Sequence, residues 1–238
     1  MKKRIISSVL AISMLTLIIS VCAGCSKNDN SSDNSSQTAI AENNAKQNEQ
    51  KQFIEKIKNL IRNGQAYDAG EYEMLEIEDG QYAFINFNGN GYCKINLSDE
   101  IRGWENFVSF GYVKIYKGYS VKTNGILINC ESFEELGVSG AKEIYEKMHG
   151  IENYDGPGMY WIDHDIPSGV YKIESKSGGS YHKCDSALGS FFWGSMINPY
   201  LNEYQDSCIV EVDNGLHDLS FIIFKGDKIS PYEETTNE

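Results

Sequence analysis

Two stretches of this chain, 89 residues apart, carry the same residues without a gap: Ile77, Gly80, Tyr82, Gly89, Tyr92, Lys94 and Trp104 fall on Ile166, Gly169, Tyr171, Gly178, Tyr181, Lys183 and Trp193. Seven identities over 28 positions exceed the one or two that ordinary residue frequencies give. A chain built this way must make the same unit twice. Upstream, Gly70-Glu71-Tyr72 matches Gly158-Met159-Tyr160 after a shift of one residue. Downstream, Val113 to Gly118 resembles Val210 to Gly215 at a larger offset, which puts a length change in the loop around the tryptophans.

Local signals predict what the unit contains. Phe53, Ile54, Ile57, Leu60 and Ile61 recur at helical spacing and stop at Gly64, a natural C-terminal cap. Before the second copy, Ser139 is placed to cap a helix whose Ala141, Ile144, Tyr145 and Met148 share a face and which ends near Gly150. Gln81 to Phe87 is aromatic and branched on both alternating faces. Asn88-Gly89-Asn90-Gly91 then has the turn chemistry of a hairpin into Tyr92 to Ile95, repeated at Ser177-Gly178-Gly179-Ser180. Val108 to Tyr116, Ser120 to Ile128, Cys208 to Val212 and Leu219 to Phe224 read as further strands. The expected fold is α+β and mostly β: two small antiparallel β-sandwich or barrel-like repeats, each preceded by an amphipathic helix.

Asp165-Ile166-Pro167-Ser168-Gly169-Val170-Tyr171 resembles the D-I-P-x-G-x-Y signature of repeat domains in surface lipoproteins of Gram-positive bacteria. Glu76-Ile77-Glu78-Asp79-Gly80-Gln81-Tyr82 is a degenerate first copy without the proline. The resemblance covers about residues 50 to 228 and implies a duplicated extracytoplasmic β-rich module, with no activity to carry over. Physically the motif reads as a turn, in which proline fixes φ and the following glycine admits a tight or left-handed reversal.

The first residues give an address. Lys2, Lys3 and Arg4 precede an apolar run from Ile5 to Val21, and Cys22-Ala23-Gly24-Cys25 closes it, the layout of an export signal. The segment resembles a lipoprotein lipobox with Cys22 where leucine is usual, which implies that Cys25 is lipidated by acyl chains of the palmitate type. Two chains hold a protein stably on a membrane where one does not. The polar residues from Ser26 to about Gln50 have little to bury and are expected to form a disordered tether. The expected organisation is a signal peptide at 1–24, lipidated cysteine and tether at 25–50, repeats with their helices at 51–135 and 136–228, and a polar tail at 229–238. The length of chain after the signal suits two cores. Net charge is −13, or −16 without the three basic signal residues, which disfavours nucleic acid and anionic lipid headgroups as direct partners.

Cys93, Cys130, Cys184 and Cys208 allow a disulfide within each repeat or four buried thiols. No C-x-x-C or H-E-x-x-H spacing occurs, so no metal or cofactor is expected. Asp163-His164-Asp165 alternates along an expected strand entrance, with both aspartates on one side, and reads as ordinary polar surface. Ser195 lacks the second glycine of a nucleophile elbow, and Gly89-Asn90-Gly91 lacks the lysine of a phosphate loop. Trp104 and Trp193, at equivalent positions, are the candidate ligand platform for sugars or peptides. The expectation is a lipid-anchored lipoprotein on the outer face of the cell membrane, a non-enzymatic binding module for a glycan or a surface protein. The alternatives are an extracytoplasmic enzyme acting on wall or dietary polysaccharide, or a structural spacer.

Overall fold

A computed structural model describes residues 33–87, 90–97, 100–176, 178–184, 200–201, 207–212 and 220–233. Residues from Lys46 onward belong to one compact unit, and residues up to Ala45 to another. The fold is α+β and mostly β, with four small antiparallel sheets among the described residues.

Helix α1 runs over Asp33–Asn63 and so takes in much of the stretch expected to be a disordered tether. Ala39, Ala41 and Ala45, with Glu, Gln and Lys around them, are strong helix formers, a local preference that needs no burial to act. The helix ends as its sequence suggests: Gly64 is left-handed at φ 75°, and the amides of Gly64 and Gln65 donate to the carbonyls of Ile61 and Leu60. Phe53, Ile57 and Leu60 are buried.

The strands of the first half are β1 (Ala66–Tyr67), β2 (Gly70–Tyr72), β3 (Gly80–Ile85), β4 (Gly91–Leu97), β5 (Glu100–Phe107), β6 (Phe110–Ile115), β7 (Ser120–Thr123) and β8 (Ile126–Asn129). They form two sheets, ordered β1-β8-β3-β6 and β2-β7-β4-β5. A short 3-10 turn at Cys130–Ser132 leads into α2 (Phe133–Leu136) and α3 (Ala141–His149). The second half holds β9 (Gly158–Trp161), β10 (Gly169–Glu174), β11 (Gly179–Cys184), β12 (Tyr200–Leu201), β13 (Ser207–Val212), β14 (Phe221–Lys225) and β15 (Lys228–Pro231). Its sheets are ordered β13-β10-β15 and β12-β11-β14-β9. Strand for strand, β2-β7-β4-β5 has the order of β9-β14-β11-β12, and β8-β3-β6 that of β15-β10-β13. The registers agree as well, since Gly80 lies opposite Ile115 and Gly169 opposite Val212.

The expected hairpins are not hairpins. β3 and β4 lie in different sheets, as do β10 and β11, so the glycine-rich links between them are arches from one sheet to the other. The stretch from Ser120 to Ile128 likewise breaks at Asn124-Gly125 into two strands of different sheets. Side chains hold the arches of the first half. Asn86 donates to the Val108 carbonyl at 2.7 Å; Asn124 accepts from the Tyr92 amide at 2.7 Å and donates to the Asn90 carbonyl at 2.9 Å. Phe84 of β3 stacks on Phe107 of β5 across the gap, with ring centroids 4.7 Å apart. Gly125 closes over that pair, where a Cβ would lie 2.5 Å from the Ile85 carbonyl oxygen and 2.5 Å from the Phe84 ring. Because one of these neighbours is backbone, Gly125→Ala is expected to destabilise the protein by about 2 to 3 kcal/mol, read as a lower urea midpoint at unchanged slope.

Among the described residues, four tyrosines follow a glycine two residues earlier and bond the carbonyl four residues back: Tyr72 to Asp68 at 2.7 Å, Tyr82 to Glu78 at 3.0 Å, Tyr171 to Pro167 at 2.8 Å, and Tyr160 to Gly156. This explains the G-x-Y part of the signature and removes the left-handed form from the expected tight or left-handed reversal. Neither Gly80 nor Gly169 has positive φ. At Gly80 a Cβ would lie 3.2 Å from the Tyr82 ring, so glycine leaves room for the tyrosine to fold back over the chain. Each such bond is worth about 1 kcal/mol.

Where two cores were expected, the buried side chains form one contiguous cluster spanning both halves. Phe110 of β6 meets Tyr160 of β9 edge-on at 5.0 Å, and Tyr112 meets Trp161 at 5.2 Å and Phe221 at 5.4 Å. The Ser109 hydroxyl donates to the Pro157 carbonyl. Helix α3, expected to head the second repeat, packs instead on β3 and β6 of the first. That contact accounts for β3 being buried on both faces from Tyr82 to Ile85.

Candidate functional site

The most chemically distinctive place among the described residues is the turn after β9. Asp163-His164-Asp165 is not a strand there. Asp163 has φ 66°, its amide donates to the Ile166 carbonyl at 2.6 Å, and the Asp165 amide donates to the Trp161 carbonyl at 2.8 Å. The reversal swings the Asp165 carboxylate inward. Its Oδ2 accepts from the Trp161 amide at 2.8 Å and from the Tyr112 hydroxyl at 2.7 Å, and its Oδ1 accepts from the Lys142 amide at 2.8 Å. Tyr112 in turn accepts from the Ala141 amide at 2.7 Å.

These contacts cap α3 from outside. Ser139 was the expected cap, but the N-cap position is Gly140, which makes no side-chain cap bond. Ser139 instead bonds Glu143 through its amide at 2.9 Å and its hydroxyl at 3.3 Å. The first free amides of the helix are met by Asp165 and Tyr112, in a place where the helix dipole favours negative charge. Gly140 is required for this, because a Cβ there would lie 2.2 Å from Asp165 Oδ1.

The electrostatics follow from enclosure. Burial pushes the Asp165 carboxyl up to about 6, opposed by the three hydrogen bonds and by His164. Burial, aided by the Asp165 charge, holds the Tyr112 phenol well above its ordinary value and raises the Cys130 thiol. A thiol raised in this way is a poor nucleophile. His164 stacks on Trp161 at 4.0 Å, with Nδ1 3.1 Å from the Ser139 carbonyl. Asp163 is occupied by the Ser168 amide at 2.8 Å and the Ser168 hydroxyl at 3.0 Å. The reading of this triplet as ordinary polar surface holds for the exposed Asp163 and His164, although Asp163 also closes a turn; it fails for Asp165, which joins β6, α3 and β9. Both Asp165 oxygens are engaged by protein donors, so its chemistry is that of a cross-link.

The other sequence-derived positions are not drawn together with this site. The Trp104 backbone lies in β5 opposite Lys94, on the outer strand of its sheet. Trp193 and Cys25 lie outside the described residues. Cys93, Cys130 and Cys208 form no disulfide, so neither the Cys93–Cys130 nor the Cys184–Cys208 pairing is made; of the expected buried thiols Cys93 is buried, and Cys130 and Cys208 are half-buried. Among the described residues there is no group of three metal-ligating side chains, and no helix is long and apolar enough to cross a membrane. A shallow dent of about 280 Å³, open to solvent, is lined by Phe107, Val108, Phe110, Met159 and Phe224 where the two halves meet. Sequence reading named Asp165 as part of the signature and of a polar triplet without its role, and did not single out Tyr112.

Comparison with known proteins adds little. No family model and no curated protein matches the chain. Among solved structures, vicilin from Solanum lycopersicum (tomato) is similar at 11% identity and a TM-score of 0.18, covering 69% of this chain and 74% of that one. A score that low carries no argument about fold or function.

Proposed function

We propose that this chain is a lipoprotein held on the outer face of the cell membrane through Cys25, whose duplicated β-rich body acts as a non-enzymatic binding module. The observation that carries this reading is the basic start, apolar run and small-residue close at Cys25, set ahead of a module whose halves share one strand order. The shared order supports duplication of one unit and fits the D-I-P-x-G-x-Y resemblance. The ligand would be a glycan or a surface protein met outside the cell, with Trp104 and Trp193 as its platform.

Two experiments test this. Cys25→Ala is expected to move most of the protein from the membrane fraction to the soluble fraction; firm retention overturns the anchor. A binding screen of the full chain against wall glycans, plant polysaccharides and host glycoproteins is expected to give a saturable hit. That hit should be lost in Trp104→Ala or Trp193→Ala proteins that remain folded.

A further inference from the structure

The turn after β2 is the sibling of the turn that carries Asp163. In each, the third residue after a back-bonded tyrosine has positive φ: Asp163 at 66° follows Tyr160, and Leu75 at 72° follows Tyr72. Aspartate tolerates this backbone, and Asp163 uses it to bond Ser168. Leucine adopts it only with strain. Nothing in the fold explains the leucine, since Leu75 is 65% exposed and Met74 beside it 43% exposed. The turn is nevertheless built firmly. The Glu76 amide donates to the Glu73 carbonyl at 3.1 Å, Glu76 Oε2 accepts from the Glu73 amide at 2.8 Å, and Ile77 is buried behind it.

The geometry points to Met74 and Leu75 as a preformed docking tip that inserts into an apolar pocket rimmed by Lys and Arg on a partner protein. Charge selects that partner. Glu71, Glu73, Glu76, Glu78 and Asp79 flank the tip along the chain, and among the described residues Lys122 pairs with Glu71 and Lys114 with Asp79, so the flank stays net acidic. An acidic flank of this kind repels an anionic membrane and attracts a basic rim. Two apolar side chains on a hydrogen-bonded turn supply the apolar centre of a small contact, with the flanking acids as its polar rim.

This deepens the binding-module reading and rests on it, at a site apart from the tryptophans. The test uses the full chain and a synthetic two-helix hairpin peptide whose leucine-lined groove between the helices is flanked by lysines, read by fluorescence anisotropy at physiological ionic strength. Leu75→Gly is expected to weaken binding by about tenfold or more while leaving the thermal midpoint unchanged or higher. Leu75→Asp, which installs the sibling turn's residue and adds negative charge, is expected to do the same. Unchanged peptide affinity in both variants overturns the tip and assigns the attraction to net charge. A thermal midpoint several degrees lower in both makes Leu75 a folding residue and overturns it too, as does preferential binding to anionic vesicles. A glycan hit sensitive to Trp104→Ala and indifferent to Leu75→Gly, with no peptide binding, would keep the module and remove the tip. Peptide binding lost in Leu75→Gly with no glycan hit would keep the tip and remove the platform.

Discussion

Replacing Asp165 with alanine is expected to cost the fold about 3 kcal/mol. The substitution leaves the Tyr112 hydroxyl and the Trp161 and Lys142 amides without their acceptor in a largely buried place. Asp165→Asn is expected to cost less at neutral pH, about 1 to 2 kcal/mol, because one oxygen still accepts while the new amide group faces an N–H. The pair also separates hydrogen bonding from charge. In the folded protein Asp165 titrates near 6, above its ordinary 3.8, so the native state binds that proton more tightly than the unfolded chain does. Its contribution to stability is therefore full below about pH 4, falls by about 3 kcal/mol as pH rises to 6, and is flat above that. Exposed carboxylates with lysine partners, such as Glu71 and Glu174, are shifted downward and give a slope of the opposite sign. Urea titrations of the parent and Asp165→Asn proteins across this range isolate the buried group, because the asparagine protein lacks only that titration. A stability difference that stays level from pH 4 to 6 would refute the assignment.

Cutting the chain between its halves is expected to leave neither half folded. Residues 46–135 alone would expose the faces of β3 and β6 that α3 covers, together with Phe110 and Tyr112. Residues 136–238 alone would lose the rings against Tyr160 and Trp161 and the Tyr112 hydroxyl that Asp165 holds. Each fragment is expected to lack the dispersed amide spectrum of a folded protein, and mixing them is expected to restore it. Phe110→Ala in the intact chain probes the same joint: its ring fills the space above Gly158 and contacts Tyr154 and Tyr160, and its loss is expected to cost about 3 to 5 kcal/mol. A fragment that folds alone would show that the repeats have separate cores after all.

How far the sequence revealed this arrangement depends on the distance over which each feature is decided. Features settled within a few residues were legible. The apolar stripe Phe53, Ile57, Leu60 and its stop at Gly64 gave the core-facing part of α1, and Ala141 to Met148 gave α3. Strand alternation was legible too, as at β10, where Tyr171 and Ile173 face in and Val170, Lys172 and Glu174 do not. Alternation assigns faces but not neighbours. The turn chemistry of Asn88 to Gly91 says that the chain reverses, without saying whether the next strand lies beside the last or across from it. β5 was read as a loop because Glu100, Arg102, Gly103 and Glu105 interrupt its apolar pattern. Asp165 was the hardest to foresee, since its partners Lys142 and Tyr112 lie 23 and 53 residues away. For the candidate site, therefore, sequence marked the motif but not the burial that gives Asp165 its role.

The arches also set how the chain can fold. Among the described strands of the first half, only β4 and β5 are successive and paired; every other step from one strand to the next changes sheet. Zipping outward from local hairpins is thus closed to most of the molecule. β3 must wait for β6, with Gly80 meeting Ile115, and β10 for β13 and β15, with Gly169 meeting Val212 and Tyr171 meeting Pro231. Such pairings bear loop-closure entropy before any contact rewards it, which places folding in the range of milliseconds to seconds, with facing sheets forming together. Until its C-terminal strand β15 is available, β10 carries an open edge, and a chain emerging end-first stays vulnerable to aggregation for that whole interval.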